Sequence, residues 1–360
     1  MPFLFVVLGP TGSGKGSLPD KIIAELKSKN VLDKETDGRD TFVDILIDNL
    51  VERTESYNDF VADFFKKMSM ENAVAKTLNP DNMTIKLFNE AYFKARKEGK
   101  CLGNKVDEYI NNIERQGLGF SNDDRKMTCE ALNDKIFSDA IMGRKNIVFE
   151  TTGAYFPEWL LTNFGRNNVL GNIIINDYTI VFAWSVVRFQ ELLRRNISRA
   201  EKATESYLNN PEEALPPRIP DIRPENFKNQ VKKIASVFTD FIGNIKKYTK
   251  TNRNNNNNKQ KSTLIKNPVY VMVFDNNSKN TQTIFDKTAS EIYNNEEVEQ
   301  LLLQEYGVLG SNNNNTRNTR NTRNTRGGKR TKKRTKKPTK KRTKKRTKKP
   351  TKKRTKRRYN

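Results

Sequence analysis

Nine residues near the N-terminus constrain this chain more than any others: Gly9-Pro10-Thr11-Gly12-Ser13-Gly14-Lys15-Gly16-Ser17. The apolar run Pro2 to Leu8 precedes them and a helical pattern, Leu18 to Lys29, follows. A buried strand, a glycine-rich turn and a helix in that order aim successive backbone N–H groups and a helix N-terminus at one anion, while a lysine at this spacing reaches the outer phosphates. The segment therefore reads as a nucleotide phosphate loop. The usual motif has Ser or Thr directly after the lysine to meet Mg²⁺. Here that place is Gly16, and the hydroxyl comes one residue later at Ser17.

A phosphate loop of this kind needs a parallel sheet behind it, and the rest of the chain supplies the strands. Thr41 to Ile47 reads as a second strand ending at Asp48, Ile147 to Phe149 as a third ending at Glu150-Thr151-Thr152, Tyr178 to Trp184 as a fourth, and Pro268 to Asp275 as the last. Carboxylates at strand ends lie where α/β sheets bind ligands, so Asp48 is the candidate base and Asp44, within the run, is less useful. From about 58 to 144 the pattern is helical. Phe60, Val61, Phe64 and Phe65, then Phe88, Tyr92 and Ala95, then Val106, Ile110 and Ile113 form stripes that read as core. Ser121 to Asp124 reads as a helix start, and Val187 to Glu201 and Asn226 to Lys247 as further helices. The proline-rich stretch Leu215 to Pro224 cannot be helix and holds Arg218 and Arg223. Glu291 to Leu309 reads as a final helix. Strands alternating with helices predict an α/β fold whose parallel sheet is covered by helices on both faces.

Charge divides the chain. Of its 67 lysines and arginines, 25 lie between Thr316 and Asn360, where there is no acid, so the remainder balances 42 bases against 42 acids. The expected organisation is a body over 1–309, with a helical insertion at about 58–144 and an asparagine-rich disordered loop at about 252–261, and then a low-complexity tail over 310–360. Asn-Thr-Arg triplets and a Thr-Lys-Lys-Arg/Pro repeat offer no apolar surface to bury, so the tail reads as a disordered polycation. Its partners would be nucleic-acid phosphates, bound without sequence preference because no aromatic side chains are interleaved, an acidic protein surface, or an import receptor.

There is no histidine, which removes imidazole bases, triads and ligands. The two cysteines, Cys101 and Cys129, are too few for a disulfide framework, and a reducing compartment is the plain reading. The apolar segments are too short for a signal peptide or membrane span, so the expected location is cytoplasmic or nuclear.

Gly14-Lys15-Gly16 followed by a hydroxyl resembles the loop of adenylate-kinase-like enzymes. Together, the loop, Ile47-Asp48-Asn49, Ile147 to Gly153, Arg195 to Arg199 and Arg218-Ile219-Pro220 resemble the zeta-toxin family of P-loop kinases, over about Pro2 to Asn277. That resemblance implies an adenylate-kinase-like fold and transfer of a γ-phosphoryl group from ATP or GTP, with Mg²⁺, to a small-molecule hydroxyl such as that of a UDP-amino-sugar. It also implies site roles. Lys15 and Ser17 would hold phosphate and metal, Arg199 and Arg218 would clamp the transferring group, and Glu150, Thr152 and Glu130 would line the acceptor pocket. Asp48 would take the hydroxyl proton. The family's acid two places beyond the Asp-Asn pair is Leu50 here. A nucleoside, nucleotide or polynucleotide kinase is the second enzyme reading. An inactive nucleotide-binding body whose basic tail binds nucleic acid is the reading from another class. The tail and asparagine tract resemble in composition proteins of large DNA viruses.

Overall fold

The computed structural model describes residues 1–33, 38–152, 169–219, 221, 223–249, 267–278, 280–289, 291–292 and 295–308. The asparagine-rich segment, Gly153 and the tail lie outside them.

β1 (Phe3–Leu8) is buried at every position and stands at the centre of a six-stranded sheet. It pairs in parallel with β3 (Asn146–Thr151) on one side and β4 (Thr179–Val186) on the other, with Val6 opposite both Phe149 and Phe182. β2 (Phe42–Ile45) extends the sheet beyond β3, and β5 (Val269–Asp275) beyond β4, also in parallel. The strand order is β2-β3-β1-β4-β5-β6. Because strand side chains alternate between faces, Phe3, Phe5 and Val7 pack with Leu18, Ile22 and Leu26 of α1 (Leu18–Ser28) on one face. Leu4, Val6 and Leu8 face the other way into the larger core. A strand buried on both faces must read as a continuous apolar run, and the run before the phosphate loop does.

The helical segment comprises α3 (Glu55–Phe65), α4 (Met70–Leu78), α5 (Asn82–Lys97), α6 (Asn104–Arg115) and α7 (Cys129–Met142). Val61, Phe88, Ile110 and Phe137 on these helices join Leu4, Phe149 and Trp184 of the sheet in one continuous core. Beyond it come α8 (Val169–Asp177), α9 (Phe189–Asn209), α10 (Pro224–Thr249) and α11 (Asn295–Glu305). Among the described residues, no helix is long and apolar enough to cross a membrane.

Four expectations change. The second strand stops at Ile45, and Asp48 lies instead on a short helix, α2 (Ile47–Val51). Ser121 to Asp124 form a turn closed by Ser121 donating from its backbone N–H and its hydroxyl to the Asp124 carboxylate, at 2.7 and 2.8 Å; the long helix begins only at Cys129, capped by Thr128. The sheet does not end with β5, since β6 (Gln282–Thr288) turns back antiparallel against it. Its exposed, polar alternation gave no apolar run to read. Finally, Cys101 and Cys129 are joined in a disulfide, where free thiols of a reducing compartment were expected. Both are buried, and Cys101 N–H donates to the Met127 carbonyl at 2.8 Å, which brings residues 28 apart in sequence together.

Candidate active site

Parallel strands place all their carboxyl ends on one edge. There the turn after β1, helix α2 after β2 and the end of β3 surround a cleft of about 610 Å³. The chain moves from β1 towards β2 on one side and crosses to β4 on the other, so the cleft opens where the strand order reverses, the crevice that α/β sheets use for ligands.

The loop forms one wall. Gly12 (φ 83°) and Gly14 (φ 79°) take left-handed backbone conformations that L side chains rarely adopt. A Cβ on Gly12 would lie 2.6 Å from the Asn196 side chain, and one on Gly14 would strike Asn276. Those two asparagines brace the loop from behind: Asn196 Nδ2 donates to the Thr11 carbonyl and Asn276 Nδ2 to the Ser13 carbonyl, each at 2.8 Å. Ser185 Oγ adds a third bond to Ser13 O at 2.6 Å. With the carbonyls held, the amides of Gly12 and Gly14 have no acceptor among the described residues. Such a donor-lined turn is what a phosphate needs. Asn196 falls within the Arg195 to Arg199 motif but was given no role there, and neither Asn276 nor Ser185 was picked out in the sequence, because each is distant from the loop in the chain.

Lys15 lies under this turn, 7% exposed, donating to the Pro10 carbonyl at 3.2 Å with Glu150 Oε1 3.7 Å away. Burial pushes its ammonium below the ordinary lysine range, an effect that the Glu150 and Asp48 charges oppose. Burial likewise raises the Glu150 carboxyl, with Lys15 opposing. An incoming anion would relieve Lys15 of that desolvation cost. Ser17 is exposed, and its hydroxyl donates back to the Gly14 carbonyl at 2.9 Å. Among the described residues no group of three or more acidic or sulfur side chains converges. A divalent cation here would be held by phosphate and water oxygens with one or two protein oxygens, the set that Mg²⁺ accepts.

Facing the loop is a compact ionic cluster. Arg218, from the proline-flanked stretch, pairs with Asp48 Oδ2 and lies 3.5 Å from Glu52 Oε1, and its guanidinium stacks 4.3 Å from the centre of the Tyr92 ring. Tyr92 donates its hydroxyl to Asp48 Oδ1. Tyr57, fully buried, donates to the Pro217 carbonyl at 3.1 Å and so fixes the segment bearing Arg218. Burial alone would raise the Asp48 carboxyl, but Arg218, Tyr92 and Lys15 together hold it below the usual carboxylate range. Glu52 goes the other way: burial raises it more than Arg218 and Arg199 lower it. Arg199 stands at the rim, half exposed, with its guanidinium 3.9 Å from Glu52. Arg195, in contrast, turns away to Glu191 and the Asn276 carbonyl.

The third wall comes from α5 and α7. Arg96 pairs with Glu130 at 2.7 Å, and Asp134 lies one helical turn beyond Glu130. Burial, then the Glu130 charge, raises the Asp134 carboxyl to about 6. Asn133, 6% exposed, leaves its Oδ1 without a hydrogen-bond partner among the described residues.

Lys15, Asp48, Glu130, Glu150, Thr152 and Arg218 thus line one cleft, as do Pro10 and Thr11 of the loop. Gly9, Gly12, Ser13, Gly14, Gly16 and Ser17 of the loop, and Arg199, lie outside its lining. Glu52, Tyr57, Tyr92, Arg96 and Asp134 are functional candidates that sequence reading missed. Glu52 is the one with a signal: on a helix it stands one turn after Asp48, a spacing hidden when the segment is read as a strand end. Leu50, 0% exposed, occupies the opposite, core-facing side of α2.

No protein-family profile matches the chain, and no curated protein matches it. Among solved structures it is similar to a chain from the PezAT chromosomal toxin–antitoxin system of Streptococcus pneumoniae, at 10% identity over 85% of each chain and with a TM-score of 0.32.

Proposed function

We propose that this protein is a nucleotide-dependent phosphotransferase that moves a γ-phosphoryl group from ATP or GTP to an acceptor hydroxyl. The observation that carries this reading is the opposition, across one cleft, of a donor-lined phosphate turn with its buried Lys15 and a carboxylate, Asp48, paired with Arg218. Phosphoryl transfer asks for positioning and for neutralisation of charge more than for covalent chemistry.

In the proposed reaction the Gly12 and Gly14 amides and Lys15 hold the nucleotide phosphates. The acceptor oxygen attacks the γ-phosphorus, the bond from that phosphorus to the β,γ-bridging oxygen breaks, and the nucleoside diphosphate leaves with the electron pair. The hydroxyl proton goes to an Asp48 oxygen. Arg218, with Arg199 swinging in from the rim, neutralises the transferring group, a role that can be worth ~10³–10⁵ in rate. Ser17, after rotating from the Gly14 carbonyl, would be the protein oxygen to hold Mg²⁺, which when bound would supply charge neutralisation for the phosphates. Glu150, Thr152 and Glu130 border the space left for the acceptor. A UDP-amino-sugar is the acceptor suggested by the motif resemblance to zeta toxins. In this proposal residues 1–309 form the kinase body, and the 310–360 tail serves nucleic-acid contact.

The test is full-length protein with Mg²⁺ and γ-labelled ATP or GTP against UDP-sugars, nucleosides, nucleotides and short RNA, with Lys15→Ala and Asp48→Asn alongside. Label on one small-molecule hydroxyl, lost in both variants, is the expected result. Label on an RNA end moves the assignment to a polynucleotide kinase. Nucleotide binding without transfer to anything favours the binding-protein reading, which the engagement of Asp48 by both Arg218 and Tyr92 keeps in view.

A further inference from the structure

Helix α2 presents two carboxylates, not one, to the arginines of the cleft. Asp48 and Glu52 are one turn apart and share Arg218, whose Nη1 meets both. Glu52 also reaches Arg199 at 3.9 Å, yet it does not line the cleft and no substrate would touch it. Its side chain is 13% exposed, against 54% for Arg199. A largely buried acid behind two cations sets where they stand.

We propose that Glu52 is a positioning residue that holds Arg218 and Arg199 at the cleft so that they meet the γ-phosphate. The proposal rests on the phosphotransferase reading above. Arg218 is committed to Asp48 in this structure, and to serve a phosphate it must give up that partner. Glu52 offers the guanidinium a second anchor away from the cleft, so Arg218 can exchange Asp48 for phosphate without leaving the site, and Asp48 is left free to take a proton. Stacking on Tyr92 guides the same movement from the side. Among the described residues, Glu52 is the ion-pair partner of Arg199.

A plain counter-charge role predicts something different. A buried anion near the site repels phosphate, so removing it would tighten ATP more than ADP, which lacks the γ-phosphate. Positioning predicts the opposite sign. The experiment measures Kd for ATP and ADP, each with Mg²⁺, by calorimetry on the full chain, for the native protein and for Lys15→Ala, Arg218→Gln, Glu52→Gln and Glu52→Asp. The native protein should prefer ATP, and Lys15→Ala should weaken both nucleotides. Arg218→Gln should lose the preference, and Glu52→Gln should cut it by about tenfold, the scale of a lost hydrogen bond to a charged group. Glu52→Asp keeps the charge but falls one methylene short, so it should lose part of the preference. If Glu52→Gln fails to fold, Glu52→Asp still decides the matter. An ATP preference in Glu52→Asp equal to that of the native protein, or unchanged or increased in Glu52→Gln, overturns the proposal. Undiminished binding of both nucleotides by Lys15→Ala overturns the underlying nucleotide-site reading instead.

Discussion

Lys15 and Asp134 illustrate at the residue scale how burial sets chemistry in a chain without histidine. Burial penalises the Lys15 ammonium, with Glu150 and Asp48 opposing, so a bound anion would favour its charged form. Lys15→Met, which keeps the stem and removes the ammonium, should weaken ATP binding by at least about tenfold while leaving the thermal midpoint within a few degrees, as calorimetry and a melting curve would show. Asp134 is the group poised near neutrality. Its carboxyl is raised from the ordinary 3.8 to about 6, first by burial and then by Glu130. Between those values the folded state keeps a proton that the unfolded chain has released, so this group's contribution to stability declines as pH rises through that window. Asp134→Asn should therefore flatten the pH dependence of the urea midpoint between pH 4 and 7. The Asp134 carboxyl carbon should titrate near pH 6 by NMR. Neither Asp134 nor Asn133 was legible in the sequence, because polar residues on an amphipathic helix read as a solvated face until the opposing wall is known.

At the scale of elements, α2 separates what sequence could and could not tell. Of the run read as a strand from Thr41 to Ile47, Phe42–Ile45 is extended, and the carboxylate after it lines the cleft at the carboxyl edge of the sheet. A five-residue helix is too short to show a period, however, so the pairing of Asp48 with Glu52 and the burial of Leu50 emerged only from the packing. The longer helices were readable because their stripes recur, and β6 was not because its exposed residues do not. The disulfide from Cys101 to the first residue of α7 is the second lesson: two cysteines without a spacing motif say nothing of their distance in space. That bond ties down the helix bearing Glu130, Asn133 and Asp134. Replacing both cysteines by alanine should lower unfolding stability by ~3 kcal/mol, and reductant should lower that of the native protein similarly but leave the variant unchanged, as denaturant titration would report.

For the whole molecule, the five parallel strands were readable from sequence because strands buried on two faces need continuous apolar runs, and the antiparallel β6 was not. The supports of the phosphate turn do not read out, since they come from β4, α9 and the end of β5. A buried relay extends this bracing to the last described helix. Trp184 Nε1 donates to the Tyr306 hydroxyl and that hydroxyl to the Ser185 carbonyl, both at 2.7 Å. Tyr306→Phe would remove both the acceptor of the Trp184 N–H and the donor to the Ser185 carbonyl. It should cost ~1–3 kcal/mol in a denaturant titration, with a weaker effect on nucleotide affinity through Ser185.

The same bracing has a consequence for how the protein is made. The turn at residues 9–17 leaves the ribosome well before its struts: Ser185, Asn196 and Asn276 follow some 170 to 260 residues later, and the Tyr306 lock later still. At ordinary elongation rates of ~5–20 residues per second, the N-terminal motif waits many seconds for its partners. A nascent chain therefore carries the glycine-rich turn without the bonds that hold its carbonyls, and gains them only when β4, α9 and the end of β5 have been made.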